Sequence, residues 1–443
     1  MVRLGWIVAA AAAWTAAALA ARRGVDASVV NAIYATALAV SYVAAWALAG
    51  AWSANQRRTF QATAISAALL VGVGVLEAGA AAHRIDYRRI RDAIIGIEGP
   101  NVDFVDDADL LFRRAPRTTW RGWPRTDMST YFNLPFRAEH PITFTTDARG
   151  FRNPTDLTRA DVALVGDSYV EGWGVSDDET VSARLASRLH APVANLGVAG
   201  YGSLQELTVL EHDALGLQPR LVAWFFFEGN DLDDDQNFEN AMVGRPAAGS
   251  AGAAAATPAP AEPLSRRWRD FVDRSFTWNL FQQLRQLSDR LVPNRLATYG
   301  WFRDAAGQSR QMYFYDFYAT RPFTDFERSR LQIAMRALGR ASEDCRQHGA
   351  ALVVYYVPIK FRVYRDAVIF PPGSPCLTWT PWDLESRMRA ECERAGIRFV
   401  SLTDSMRDAA RHGALLYQLA DSHWSAAGAA FVADLVARDV PDR

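Results

Sequence analysis

From Asp161 to the C-terminus, short apolar runs of β-prone residues alternate with longer stretches of helical character, and this alternation constrains the fold more than any other feature. Such alternation predicts a parallel sheet with helices packed on both of its faces, which is an α/β sandwich of three layers. We predict strands at 162–165, 193–196, 221–227, 351–357 and 398–402, and helices at 180–189, 203–215, 326–348 and 384–395.

The overall composition argues against several classes of function. The chain has 443 residues, half of them hydrophobic, and a formal net charge of −1. A near-neutral chain without a basic stripe does not attract nucleic acid, so we expect no nucleic-acid partner. The three cysteines are far apart and suggest neither a disulfide framework nor a zinc site. Neither a dinucleotide fingerprint nor a Walker A sequence occurs, and we expect no cofactor and no metal.

The N-terminal part of the chain contains three apolar stretches, at 4–21, 29–52 and 60–82. A membrane helix needs about 20 apolar residues, so we predict a transmembrane region at 1–83 with about three helices. A cleaved signal peptide is the alternative for the first stretch, and buried helices of a soluble protein are the alternative for all three. Three spans with the N-terminus inside place the following domain outside the cytoplasm, whereas the distribution of arginines opposes that orientation.

The remainder of the chain divides by composition. We predict a juxtamembrane and lead-in segment at 84–142 and a single domain at 143–443. Within that domain, 244–263 is almost entirely Ala, Gly, Pro, Ser and Thr, which predicts a flexible insertion. The tract at 266–318 is rich in Trp, Phe and Tyr, and we predict a helical and irregular excursion there, with core packing favoured over carbohydrate stacking.

The first predicted strand ends abruptly at Gly166-Asp167-Ser168, and helix-compatible sequence follows. A strand-to-helix turn of this kind places a serine hydroxyl at the carboxyl edge of a parallel sheet, where ligands bind in open α/β folds. Ser168 is therefore a candidate nucleophile, provided that the chain also supplies a base and an oxyanion site.

A candidate base lies close to the C-terminus. His423 follows Asp421 by two positions and precedes a run of small residues that starts a helix. One short loop can thus supply both a base and the acid that fixes its tautomer. Taken alone, an Asp-x-His sequence is more often an ordinary surface loop.

Two further segments supply candidate oxyanion donors. Gly200 ends the stretch 195–200, which follows a predicted strand, and a glycine there lets a backbone N–H face a ligand. Asn230 follows the apolar run 221–227, and its side-chain amide can donate into the same crevice. An ordinary turn at Gly200 and a helix cap at Asn230 are the alternatives.

The acidic run from Asp231 to Asp235 invites comparison with a calcium loop. An EF-hand counted from Asp231 requires glycine at 236 and glutamate at 242, and Gln236 and Met242 occupy these positions. We therefore interpret the run as a solvated acidic loop.

The order of these segments carries more information than any one of them. Gly-Asp-Ser, Asn-x-Gly-x-x-Gly, Gly-Asn-Asp and a terminal Asp-x-His together resemble the SGNH (GDSL-type) hydrolase superfamily. The stretch 145–152 is also similar to the segment that precedes the nucleophile in membrane-attached bacterial members. The resemblance covers about 143–443 and implies a flavodoxin-like three-layer sandwich with a parallel sheet, the SGNH hydrolase fold, preceded here by the predicted transmembrane helices.

The resemblance also implies a role for each candidate residue. These are Ser168 as nucleophile, His423 as base, Asp421 as its partner, and the N–H groups of Ser168 and Gly200 with the Asn230 side chain as the oxyanion hole. Two departures stand out. Only one residue separates Asp421 from His423, where many members have two. Gly229 directly precedes Asn230, where the commoner pattern has one residue between the glycine and the asparagine. The segment 357–360 is similar to a further family segment without an assigned role.

The function implied is that of a membrane-anchored serine esterase that forms an acyl-Ser168 intermediate and acts on acyl, for example acetyl, esters of an envelope polysaccharide or lipid. An O-acyltransferase with the same triad is one alternative. A non-catalytic protein that binds glycan or partners a membrane acyltransferase is another. We expect an acyl-ester substrate, contact with the membrane through the N-terminal helices, and a bacterial cytoplasmic membrane location with the catalytic domain outside the cytoplasm.

Overall fold

The computed structural model describes residues 56–82, 84–87, 90, 102, 104–124, 126–128, 140–243, 272, 274–291, 298–317 and 322–441. The predicted membrane stretches at 4–21 and 29–52 and the predicted insertion at 244–263 lie outside these residues.

The chain forms two compact units. The first comprises Met1–Arg88 and Pro263–Leu280, and the second comprises Arg89–Glu262 and Phe281–Arg443. The second unit therefore includes most of the lead-in segment as well as the predicted α/β domain.

In the first unit, helix α1 (Gln56–Ala81) covers most of the apolar stretch predicted at 60–82. Its Glu77 accepts a 2.7 Å hydrogen bond from the backbone N–H of Thr277. Among the residues that the structure describes, no helix is both long enough and apolar enough to cross a membrane.

The strands are short, as expected for a sheet between two helical layers. In chain order they are β1 (Phe104–Asp107), β2 (Leu111–Arg114), β3 (Thr119–Gly122), β4 (Ile142–Thr145), β5 (Val162–Val165), β6 (Val193–Asn195), β7 (Leu221–Phe227), β8 (Thr298–Arg303), β9 (Ser309–Phe314), β10 (Ala351–Val357), β11 (Val368–Ile369) and β12 (Arg398–Ser401). All five strands predicted from the sequence are present, with ends that differ by no more than one residue.

These five strands form one parallel sheet in the order β12-β10-β7-β5-β6. If the five strands are numbered 1 to 5 along the chain, their order from the β6 edge is 2-1-3-4-5, which is the flavodoxin-like order. In this order the direction of winding reverses between the first strand and the third. Here the reversal lies between β5 and β7, whose register pairs Val162 with Leu221 and Val165 with Trp224. Ligands bind at the carboxyl ends of the strands that flank such a reversal.

Helices cover both faces of the sheet. In chain order, the α-helices that follow α1 are α2 (Ser168–Glu171), α3 (Val181–Leu189), α4 (Ser203–Val209), α5 (Asp231–Met242), α6 (Phe276–Leu291), α7 (Asp325–Gln347), α8 (Lys360–Tyr364), α9 (Leu384–Arg394), α10 (Thr403–Arg411) and α11 (Ala426–Val436). Alternate residues of a strand face opposite layers. In β5, Val162 and Leu164 pack with α3, α8, α10 and α11, whereas Ala163 and Val165 pack with α4, α7 and α9. The α/β sandwich predicted from the sequence is confirmed.

The aromatic tract at 266–318 corrects one prediction. Within the tract, 276–291 is helical, as α6, but 298–314 forms the antiparallel hairpin β8–β9, to which β11 adds a third strand. Phe302 and Phe314 point into the core on one face of the hairpin. Buried residues alternate with more exposed ones along β8, but Tyr299 and Trp301 lie on the more exposed side, so the sequence itself does not alternate between apolar and polar residues.

The lead-in segment also forms strands. β1 pairs with β2, and β3 pairs antiparallel with β4 at the start of the domain. The buried Arg114 at the end of β2 makes a two-bond ion pair with Glu171 of α2, at 2.8 and 2.9 Å. This segment therefore packs against the helix that begins at Ser168.

Candidate active site

The turn that carries Ser168 is built from close backbone packing. Asp167 precedes α2, and its carboxylate accepts a 2.9 Å hydrogen bond from the N–H of Tyr169. A Cβ at Gly166 would lie 2.6 Å from Val170 Cγ2, so a larger residue does not fit there. Ser168 is the first residue of α2, so its own N–H has no acceptor within the helix. Ser168 is 9% exposed.

The structure brings Ser168, His423 and Asp421 together. Ser168 Oγ lies 2.7 Å from His423 Nε2, and His423 Nδ1 lies 2.6 Å from Asp421 Oδ1. With the proton on Nδ1, the imidazole donates to Asp421 and accepts from the serine hydroxyl. This is the geometry of a nucleophile, a base and an orienting acid.

A second carboxylate, which the sequence did not reveal, joins this group. Asp127 belongs to the lead-in segment, and its backbone N–H donates to Asp421 Oδ2 at 2.8 Å. Its carboxylate accepts from the N–H of Ser422, with both oxygens at 3.0 Å, and from the Ser422 hydroxyl. Asp127 Oδ2 is also 3.9 Å from His423 Nδ1. No local pattern around Asp127 signals this contact, because it joins residues 294 positions apart.

Two further side chains fix the loop that holds the histidine. The Tyr169 hydroxyl donates to the carbonyl oxygen of Ser422 at 2.7 Å, and the Tyr169 ring packs against the His423 ring with centroids 4.9 Å apart. Buried Lys360 donates to the carbonyl oxygen of Asp421 in the same loop. Lys360 belongs to the segment 357–360, which the sequence left without a role.

The charges around His423 set its proton affinity. Burial alone lowers the pKa of the imidazole, but the charge and hydrogen bond of Asp421 and the charges of Asp127 and Asp167 outweigh it and raise that pKa to about 9. Burial and the charge of Asp421 raise the pKa of Asp127 to about 7. The imidazole is therefore a strong base once it has lost its proton.

The loop after β6 packs directly on the nucleophile turn. The N–H of Val198 donates to the carbonyl of Gly166 at 3.2 Å. A Cβ at Gly197 would lie 2.4 Å from the backbone nitrogen of Glu171, so only glycine allows this approach. Gly200 follows with φ of +83°, a left-handed conformation that favours glycine. The predicted donor Gly200 thus lies in a loop held against the turn that carries Ser168.

Asn230 directly precedes α5 at the carboxyl end of β7. An N–H of its side-chain amide donates to Asp234, and its side-chain oxygen is buried without a hydrogen-bond partner. The predicted donor therefore lies at the expected sheet edge, in the position of a helix cap, with one N–H engaged by Asp234.

The prediction of a solvated acidic loop at Asp231–Asp235 is wrong. The run is the first turn of α5, where acidic residues are favoured by the helix dipole. Asp231 and Asp235 are fully buried. Asp231 accepts from the N–H of Phe227 and Asp235 accepts from the N–H of Leu204. These carboxylates connect β7 and α4 to the start of α5.

The described residues contain one group whose side chains could hold a metal ion, formed by Asp127, Asp421 and His423, with ligand atoms within 4.8 Å of one another. All three side chains are already hydrogen-bonded within the arrangement above. These hydrogen bonds account for the three side chains as one linked group around His423.

The fold and this arrangement define a class of protein in which a serine is activated by a histidine–carboxylate pair at the edge of a parallel sheet. Residues 314–443 match the family described as "ALGX: SGNH hydrolase-like domain, acetyltransferase AlgX". Residues 314–443 thus resemble an SGNH hydrolase-like domain, and the chain is an enzyme of the SGNH hydrolase or acetyltransferase type.

Solved structures of low sequence identity resemble the chain. A putative lipolytic protein of the G-D-S-L family from Desulfitobacterium hafniense has 12% identity and a TM-score of 0.32, over 63% of this chain and 98% of that chain. A lipase/acylhydrolase from Enterococcus faecalis has 12% identity and a TM-score of 0.31, over 63% and 94%. A catalytic mutant of an acetylxylan esterase from Geobacillus stearothermophilus has 10% identity and a TM-score of 0.32, over 65% and 97%. No curated protein matches the chain.

Proposed function

We propose that this chain is a serine esterase or O-acyltransferase that forms an acyl-Ser168 intermediate. The observation that carries the proposal is the continuous line of short contacts from Ser168 Oγ to His423 Nε2 and from His423 Nδ1 to Asp421, at 2.7 and 2.6 Å. A buried acid, an imidazole and a serine that contact one another in this order are typical of nucleophilic catalysis.

In the first half of the reaction, Ser168 Oγ attacks the carbonyl carbon of an ester and its proton moves to His423 Nε2. Asp421 accepts the hydrogen bond from Nδ1–H and stabilises the imidazolium that forms. The tetrahedral intermediate then breaks its bond to the alcohol oxygen, which leaves with the proton from Nε2. The acyl group remains bonded to Ser168 Oγ.

The negative oxygen of the tetrahedral intermediate requires hydrogen-bond donors. We assign this role to the N–H groups of Ser168 and Gly200 and to the side-chain amide of Asn230. The position of the Ser168 N–H in the first turn of α2 and the left-handed conformation of Gly200 support the assignment. Asn230 has a second amide N–H besides the one that contacts Asp234.

In the second half, an acceptor hydroxyl gives its proton to His423 Nε2 and attacks the acyl carbon, and Ser168 recovers its proton. Water as the acceptor gives hydrolysis, and a sugar hydroxyl gives transfer. The match to a family described by an acetyltransferase supports acetyl as the acyl group. We propose the acyl esters of an envelope polysaccharide or lipid as substrates.

We also propose that the apolar stretches within 1–83 anchor the chain in a bacterial cytoplasmic membrane and keep the catalytic domain outside the cytoplasm. The length and apolar character of 29–52 support an anchor. This placement brings the site close to envelope glycans and to a membrane acyltransferase as a possible acyl source. A membrane-impermeant fluorophosphonate probe tests the placement, because it labels Ser168 in intact cells only if the domain faces outward; labelling only after lysis would contradict it.

Replacement of Ser168 with alanine tests the proposed chemistry. We expect the variant to fold, to lose hydrolysis of short acyl esters, and to lose acyl transfer to added glycan. Ser176→Ala serves as the control, because the Ser176 hydroxyl accepts a hydrogen bond from the backbone N–H of Thr143. Full activity of the Ser168 variant would contradict the proposal.

A further inference from the structure

Asp127 contacts Asp421 and Ser422, the two residues that precede His423. Its backbone N–H holds one oxygen of Asp421, and its carboxylate holds the N–H and the hydroxyl of Ser422. Ser422 is the single residue between Asp421 and His423. The short Asp-x-His spacing, which departs from the usual family pattern, is therefore supported by a carboxylate from a distant part of the chain.

Asp127 and Asp421 lie at different distances from the imidazole, so they act on it in different ways. Asp421 Oδ1 takes the Nδ1 hydrogen bond at 2.6 Å, and Asp127 Oδ2 lies 3.9 Å from the same nitrogen. Only one carboxylate can accept the single Nδ1–H. Asp127 therefore acts on His423 through its charge, and within about 4–6 Å an opposite charge favours the protonated imidazole.

Other charged and titratable groups also face His423. Asp421 belongs to the same loop, Asp167 and Tyr169 belong to the nucleophile turn, and Lys360 lies behind the loop, where it donates to the carbonyl oxygen of Asp421. Asp167 accepts from the N–H of Tyr169 and from the Ser168 hydroxyl, and Asp421 accepts from Nδ1. Removal of the Asp127 charge, in contrast, leaves the direct contacts of both Ser168 and His423 in place.

We propose that Asp127 is a second acid of the active site, a positioning residue that holds the Asp421–Ser422–His423 loop and sets the pH at which His423 becomes a base. This inference rests on the proposed function. It also assigns the lead-in segment a part in the site, because Asp127 lies before the strand-and-helix domain predicted at 143–443 and outside the matched residues 314–443.

The test uses the full chain and a fluorophosphonate probe, whose rate of labelling at Ser168 is measured against pH. Asp127→Asn removes the charge but keeps the shape and an acceptor oxygen for Ser422. We expect the rise in labelling rate to move to lower pH by about one to three units. Ser422→Ala is the matched control, because it removes the hydroxyl contact to Asp127 while both carboxylates keep their charges, and its profile should stay at the wild-type pH.

A profile of Asp127→Asn that coincides with wild type would overturn the proposal, even if the melting temperature falls. If the Asn variant does not fold, Asp127→Glu retains the charge and should keep the wild-type profile; a shift to lower pH in that variant would also overturn it. Wild-type protein that fails to label at any pH would instead contradict the proposed function, so the two failures are distinguishable.

Discussion

Lys360 Nζ lies 3.1 Å from the carbonyl oxygen of Asp421, the acid that orients His423. The same ammonium donates to the carbonyl oxygens of Gln418 and Leu419, at 2.5 and 2.9 Å, and the residue is 2% exposed. Three carbonyls of the catalytic loop thus converge on one buried donor. Burial lowers the pKa of Lys360 to about 7, against the opposing charges of Asp127 and Asp421.

Replacing Lys360 with methionine should therefore loosen the catalytic loop. Methionine fills a similar volume but donates no hydrogen bond, so buried carbonyls lose their partner. We expect the free energy of unfolding to fall by about 1–3 kcal/mol and kcat to fall as well. Chemical denaturation and ester hydrolysis measure the two effects. Arg365→Met, at an exposed position just after α8, should change neither; equal losses in both variants would contradict this role of Lys360.

The pH dependence of activity should follow His423. Its pKa is raised from the ordinary 6.5 to about 9, because the charges of Asp421, Asp127 and Asp167 outweigh the effect of burial. Since only the neutral imidazole accepts the serine proton, kcat/KM should rise as the pH rises toward about 9. A profile that already reaches its plateau near pH 6 would contradict the account.

The same pKa has a consequence for stability. A pKa that is higher in the folded state adds stability that is fully present below the unfolded value of 6.5 and is lost as the pH rises through about 9. The free energy of unfolding of the wild type, relative to His423→Gln, should therefore decrease across that window. Denaturation at several pH values measures it, and a constant difference would argue against the raised pKa.

Gly197 should tolerate no side chain. A Cβ there would lie 2.4 Å from the nitrogen of Glu171 and 2.8 Å from the carbonyl oxygen of Asp167, so the nucleophile turn must move. We expect Gly197→Ala to lose about 1–3 kcal/mol of stability together with activity. Gly339→Ala is the control, because a Cβ at this helical glycine meets nothing within 4 Å and alanine favours the helix. An active, stable Gly197→Ala would contradict the packing described.

Asn230 can be tested as an oxyanion donor. If its amide stabilises the negative oxygen, Asn230→Ala should raise the barrier by about 2.7–4 kcal/mol with little change in KM. Asp234→Asn is informative beside it, because it changes only the group that engages one amide N–H. An Asn230→Ala variant with nearly wild-type kcat would show that this residue only starts α5.

The sequence was a good guide wherever the determining contacts are local. Apolar runs and turn residues located β5 and β7 to the residue, and the motif after each strand followed from that. The antiparallel hairpin β8–β9 was missed because its aromatic residues suggested an irregular tract rather than alternating faces. Asp127 was missed for a different reason. Its contacts with Ser422 cross 295 positions, and no spacing rule connects two such distant segments.

The acidic start of α5 is a second feature whose environment depends on contacts with distant parts of the chain. Charge alone favours a solvated interpretation for Asp231–Asp235, but tertiary packing buries two of these carboxylates and pairs them with backbone N–H groups. Burial of a charged group depends on partners supplied by neighbouring elements. Such partners are visible only in the folded chain.

The central claim is that Ser168 forms a covalent acyl intermediate with the help of His423. The most direct measurement is the mass of the intact protein after rapid mixing with an activated acetyl ester, followed by peptide mapping. We expect one added acetyl group on Ser168 in the wild type, no adduct in Ser168→Ala, and strongly slowed formation in His423→Gln. An acetyl group on another residue, or equal acetylation of all three proteins, would contradict the account.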